Sequence, residues 1–184
     1  MAAALPSAGA RRAWSARDRL EEDRTMASVD ERDTAHLRRA MALARKSRER
    51  GDDPFGAVLV DKDGRVLAEG LNTETTGRDV TGHAETNLIR AASQSVDAET
   101  FASSSLYASG EPCAMCSAAI FFGGVGRVVY GASAARLHEM FPPDEAHPVL
   151  RLPCREVLAA GTRRTEVVGP ILEEEAERVF EGPA

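Results

Sequence analysis

The stretch SSLYASGEPCAMCSAAIFFGGVGRVVYG, residues 104–131, decides the fold. Ser104-Ser-Leu-Tyr-Ala108 has the composition of a strand, and Arg127-Val-Val-Tyr-Gly131 repeats it. Between them, Pro112 suits the first position of a helix that runs through Phe121 and ends at Gly123-Gly124. With that helix as a right-handed crossover, the two strands are parallel neighbours, which places the chain in the α/β class.

The same helix start carries chemistry. Cys113 and Cys116 stand at i and i+3 in its first turn, so both project to one side, within reach of one metal ion. The unsatisfied N–H groups of a helix start favour thiolates there. Upstream, His83 and Glu85 are two residues apart and would diverge in a regular helix, so they belong at a loop-to-helix junction. Two thiolates and a neutral imidazole balance Zn²⁺ and leave a fourth position open, a catalytic rather than a closed count. Such an ion lowers the pKa of its water toward about 7, and Glu85 can take a proton from that water and return it to a ring nitrogen and a leaving amine. Cys-x-x-Cys alone would equally suit redox or structural zinc. His-x-Glu followed by Pro-Cys-x-x-Cys is the pattern of zinc deaminases of bases.

Ahead of this core, Asp33 or Thr34 can cap a helix with Leu37, Ala40, Met41 and Ala44 on one face and Gly51 at its end. Phe55-Gly-Ala-Val-Leu-Val60 is a short apolar strand, and the turn Asp61-Lys-Asp-Gly64 leads into an antiparallel partner from Arg65 to Gly70. Leu71 to Gly82 lacks periodicity and reads as a loop that delivers the chain to His83, after which Ala84 to Ala92 is helical. Ala132 to Pro148 contains Phe141-Pro142-Pro143-Asp144 and reads as irregular, a candidate lid. Glu156 to Ala160 suits a short helix, Thr165 to Val168 a fifth strand, and Ile171 to Phe180 a terminal helix with Leu172, Ala176, Val179 and Phe180 inward. No internal repeat and no second domain are expected.

A length of 184 residues with 43% hydrophobic content suits one domain, expected over residues 31–184. Residues 1–30 are expected to be a disordered extension, with Met26 as an alternative start. No apolar segment follows Arg11 and Arg12, so no secretory signal is expected, and Asp18, Glu21, Glu22 and Asp23 are wrong for a transit peptide. No run approaches the roughly 20 apolar residues of a membrane span. Three cysteines, two of them at Cys-x-x-Cys spacing, disfavour a disulfide framework and point to a reduced, cytoplasmic chain. The net charge of -6 argues against nucleic acid as the main partner.

From about Ala35 to Ala135 the chain resembles the cytidine-deaminase-fold superfamily, in the branch of small cytosine, guanine and tRNA-adenosine deaminases. The resemblance implies a three-layer α/β/α fold with a five-stranded mixed sheet, one Zn²⁺ per chain, hydrolytic deamination of an amino-substituted heterocycle, and a homodimer. It implies His83, Cys113 and Cys116 as metal ligands, Glu85 as the catalytic proton shuttle, and Asn72 as a hydrogen-bonding partner of the base. Pro54-Phe55-Gly56-Ala57-Val58 is similar to the segment of guanine deaminases whose Phe packs on the purine, although core filling also accounts for Phe55. Tyr107 to Cys113 is similar to the guanine-deaminase version too, in which the backbone from Ser109 to Glu111 lines the pocket. Val80-Thr81-Gly82 departs from the Pro-Thr-Ala of many relatives, and more room at the metal edge is the expectation.

A carboxylate from the lid would suit a ring with N–H donors, because a buried donor needs an acceptor. Asp144 is the first choice and Glu139 the second, against the reading of both as solvated loop acids. His138, His147 and Cys154 match no ligand spacing and read as surface histidines and a buried thiol. The leading reading is a zinc-dependent deaminase of a free nucleobase or related small heterocycle, guanine first, then cytosine or an amino-triazine such as ammeline. The alternatives are a tRNA-specific adenosine deaminase, which needs a basic stacking surface for an anticodon loop, and a zinc-binding protein without catalysis.

Overall fold

The computed structural model describes residues 29–142 and 149–181. The expectations for residues 1–28, for Asp144 and for His147 lie outside them. Helix α1 (Glu31–Glu49) begins at Asp30, not at Asp33 or Thr34. Asp30 Oδ1 accepts the N–H of Asp33 at 2.8 Å, and Asp33 Oδ2 accepts the N–H of Asp30 at 3.3 Å, a reciprocal capping pair. Asp33 thus lies inside the first turn, where its carboxylate faces the sheet. Leu37, Ala40, Met41 and Ala44 form the buried stripe.

Strands β1 (Gly56–Val60) and β2 (Val66–Leu71) pair antiparallel, and the Gly64 N–H donates to the Asp61 carbonyl at 3.0 Å in the turn between them. The segment expected to be a plain loop contains a four-residue helix, α2 (Glu74–Gly77). Helix α3 (Ala84–Ala92) has the expected bounds. Helix α4 (Ala98–Ser103) was not foreseen, because Phe101 is its one buried residue and no apolar stripe marks it. Strand β3 (Ser105–Gly110) then leads into α5 (Ala114–Gly123), whose cap is Cys113, so Pro112 precedes the helix rather than opening it. Gly124 ends α5 in the left-handed conformation, φ 86°, which a glycine adopts without a Cβ penalty.

Strand β4 (Arg127–Ala132) follows, parallel to β3 as the crossover requires. Ala132 to Met140 is not irregular: α6 (Ala134–Met140) forms behind its Ser133 cap. Leu137 is its one buried residue, which is too little periodicity to read from sequence. The chain closes with α7 (Cys154–Ala159), β5 (Glu166–Val168) and α8 (Glu173–Glu181).

The sheet has the order β2-β1-β3-β4-β5, with β1 antiparallel to both neighbours and β3, β4 and β5 parallel, a five-stranded mixed sheet. Side chains alternate across it. Val58, Tyr107 and Val129 face a core closed by Leu37 and Met41 of α1 and Val179 of α8. Leu59, Leu106 and Val128 face a second core closed by Leu88 of α3, Ile120 of α5 and Leu158 of α7. Helices therefore cover both faces of the sheet, giving the three layers expected. No helix of the described residues is long and apolar enough to cross a membrane.

Candidate functional site

Because β1 runs antiparallel to both β2 and β3, those two strands point the same way and end on the same edge of the sheet. The exit of β2 leads through residues 72–83 into α3, and the exit of β3 leads through residues 111–113 into α5. His83 and Cys113 are the N-cap residues of these two helices, both in extended backbone conformation. Two helix starts thereby converge, and the Nδ1 of His83 lies 3.6 Å from the Sγ of Cys113 and 3.6 Å from that of Cys116. All three donor atoms lie within 4.8 Å of one another. Tetrahedral coordination with zinc–sulfur bonds of about 2.3 Å and a zinc–nitrogen bond of about 2.0 Å would separate nitrogen from sulfur by about 3.5 Å. The donor set and its spacing fit that ion. His138 and Cys154 join no such group among the described residues.

The charges of the cluster favour a cation among the three donors. The hydrogen bond from Cys116 holds the Cys113 thiol down to about 4, with His83 beside it. Cys116 is driven up by its bond to Cys113 and by burial. The bond to Cys113 raises His83 to about 9, against burial. Two thiolates this close repel each other, and a cation between them relieves that repulsion. Glu85, in the first turn of α3, is 5% exposed. Burial pushes its carboxyl above the ordinary carboxylate range.

Three neighbours of the cluster escaped the sequence reading. Glu74 of α2 places Oε2 3.6 Å from His83 Nε2, on the side of the ring away from the sulfurs. Thr86 Oγ1 lies 3.4 Å from Cys116 Sγ. Asn87 Nδ2 donates to the carbonyls of Leu71 and Gly82 and to Thr73 Oγ1 at 2.9–3.0 Å, which ties residues 71–82 to α3. At Gly82 the space that a Cβ would take is filled by Thr73, Glu74 and Asp79. A Cβ there would lie 2.9 Å from both Asp79 O and Thr73 Oγ1 and 3.2 Å from Glu74 N, so the glycine lets α2 close against the approach to His83.

Asn72 is 1% exposed, and its Oδ1 accepts the N–H of Glu74 at 2.9 Å. That bond assigns the amide orientation and leaves Nδ2 without an acceptor among the described residues. Phe55 is half-buried ahead of β1, its ring 5.2 Å from that of Phe180 in α8. Ser109 Oγ accepts the N–H of Gly56 at 3.1 Å and so anchors the segment that carries Phe55. The Glu111 carboxylate accepts the N–H groups of Ala134 and Cys154, the first residues of α6 and α7, at 2.9 and 3.0 Å. Glu139 pairs with Arg136 on the exposed face of α6.

Residues 30–132 match the cytidine and deoxycytidylate deaminase zinc-binding region. The chain is 36% identical over 148 residues to a probable cytosine deaminase of Schizosaccharomyces pombe, covering 80% of this chain and 90% of that one. It is 43% identical over 99 residues to a tRNA-specific adenosine deaminase of Agrobacterium fabrum, covering 54% of this chain and 64% of the relative. Guanine deaminase of Bacillus subtilis superposes with a TM-score of 0.54 at 36% identity, over 61% of this chain and 71% of that one. The chain belongs to the cytidine and deoxycytidylate deaminase zinc-binding family, as the matched region and the Schizosaccharomyces pombe relative both show.

Proposed function

We propose that this chain hydrolyses the exocyclic amine of a free nucleobase or related small heterocycle, with guanine, then cytosine, as first candidates, and that Glu85 moves the protons. The observation that carries the reading is a buried carboxylate in the turn that follows His83, beside three donors placed to hold a metal. His83, Cys113 and Cys116 would hold the zinc ion, which supplies Lewis acidity that brings the pKa of a water to about 7.

Glu85 takes a proton from the attacking water and gives it to the ring nitrogen beside the amine-bearing carbon. The water oxygen bonds to that carbon as a hydroxyl, and Glu85 then carries the hydroxyl proton to the amine, so that the carbon–nitrogen bond breaks and ammonia leaves as the carbonyl forms. The free Nδ2–H of Asn72 is a buried donor that a ring acceptor would satisfy. Phe55, buttressed by Phe180, offers a flat apolar surface at the same edge of the sheet. A free base suits this chain better than an anticodon loop. The net charge is -6, and the first turn of α8 holds Glu173, Glu174 and Glu175, which repel a phosphate backbone.

Ammonia release from guanine, cytosine, adenine, ammeline and their nucleosides tests the substrate class, with inosine formation in tRNA measured alongside. Glu85→Gln should retain zinc and lose turnover. Normal turnover in Glu85→Gln would sink the assignment, and inosine in tRNA with every free base untouched would favour the RNA-modifying alternative.

A further inference from the structure

We propose that Glu74 is a positioning residue of the metal centre, holding the outer nitrogen of His83 so that the inner one faces the cation. The inference rests on the reading of His83, Cys113 and Cys116 as the ligands. An imidazole presents a lone pair at one nitrogen only when its proton sits on the other, and an acceptor next to that proton fixes both tautomer and ring orientation. Here Nδ1 faces the two sulfurs, and the carboxylate within ion-pair distance of Nε2 is Glu74, at 3.6 Å.

The placement of Glu74 is built rather than incidental. A four-residue helix has no stability of its own, and α2 is held at Glu74 and at Thr76. Asn72 Oδ1 accepts the Glu74 N–H at 2.9 Å, and Asp52 accepts the N–H and hydroxyl of Thr76 at 2.8 and 2.7 Å. Asn87 clamps Leu71, Thr73 and Gly82 together. The absence of a Cβ at Gly82 removes the atom that would collide with Thr73 Oγ1 and crowd Glu74 N. The two side chains are 32% and 37% exposed, so solvent weakens the contact. The loss on removing Glu74 is therefore set at about tenfold in zinc affinity, the low end of the range for such outer partners.

The test uses the full chain as parent, Glu74→Ala, Glu74→Gln and Cys113→Ser. Zinc affinity is read by competition with a chromophoric chelator, and the His83 tautomer by nitrogen NMR of the zinc-loaded protein. Glu74→Ala should bind zinc about tenfold more weakly, with faster exchange of the His83 Nε2 proton and an unchanged circular dichroism spectrum. Glu74→Gln keeps an acceptor oxygen and should stay within about threefold of the parent. Parental affinity in Glu74→Ala, with zinc lost from Cys113→Ser, overturns this inference alone. Tight zinc binding by Cys113→Ser overturns the ligand set and the inference together.

Discussion

Arg127, the first residue of β4, grips Asp33 of α1 through two hydrogen bonds, Nη1 to Oδ1 at 2.6 Å and Nη2 to Oδ2 at 2.9 Å. The Tyr107 hydroxyl donates a third to Oδ1 at 2.8 Å, so one buried carboxylate joins α1, β3 and β4. Breaking such a pair from one side leaves a buried charge uncompensated, which costs about 3 kcal/mol or more. Arg127→Met is expected to lose about that much in urea unfolding while keeping its zinc. A midpoint equal to the parent's would mean that the apolar replacement compensates fully.

The same carboxylate sets an acid response. Burial works to raise the Asp33 pKa, but the hydrogen bonds from Arg127 and Tyr107 outweigh it and hold the group below its ordinary value. A depressed folded-state pKa contributes stability that is present above the unfolded value of about 3.9 and is lost as pH falls through the folded value. Unfolding free energy should therefore fall below about pH 4, and Asp33→Asn, less stable at pH 7, should show a shallower decline. Urea titrations at several pH values measure both slopes.

Glu111 ties down α6 and α7 at once, since its Oε2 accepts the first N–H of α6 and its Oε1 that of α7. A carboxylate at two helix starts gains from charge-assisted bonds and from both dipoles. Glu111→Ala should lose about 2 kcal/mol, and hydrogen exchange should quicken at the amides of Ala134 and Cys154. Glu111→Gln retains one acceptor oxygen and should protect one of the two amides.

Asn72 Oδ1 accepts the Glu74 N–H, and on the proposed reading its Nδ2 is the donor that meets the substrate. Asn72→Ala should lower kcat/KM about 10- to 100-fold, the scale of one hydrogen bond to a buried group. Asn72→Asp keeps the acceptor for Glu74 but loses the donor, so it should bind zinc normally and still turn over poorly. Kinetics with zinc analysis separate the two functions of the side chain.

The amino-acid sequence by itself determined the family, the metal-donor set and the frame. Cys113 and Cys116 share a face because helical spacing is local, and the segments Gly56–Val60, Ser105–Gly110 and Arg127–Ala132 carry the short, bounded composition of strands. The short helices α2, α4 and α6 were missed because caps and distant contacts hold them, not an apolar stripe. Tertiary structure alone decided the outer contacts. Asp30 caps α1 while the Asp33 carboxylate serves both the cap and Arg127, and Glu74 meets His83 because Gly82 allows α2 to close. Such contacts join residues from separate connections at one sheet edge. Only the strand order, with β1 antiparallel between β2 and β3, brings those connections together.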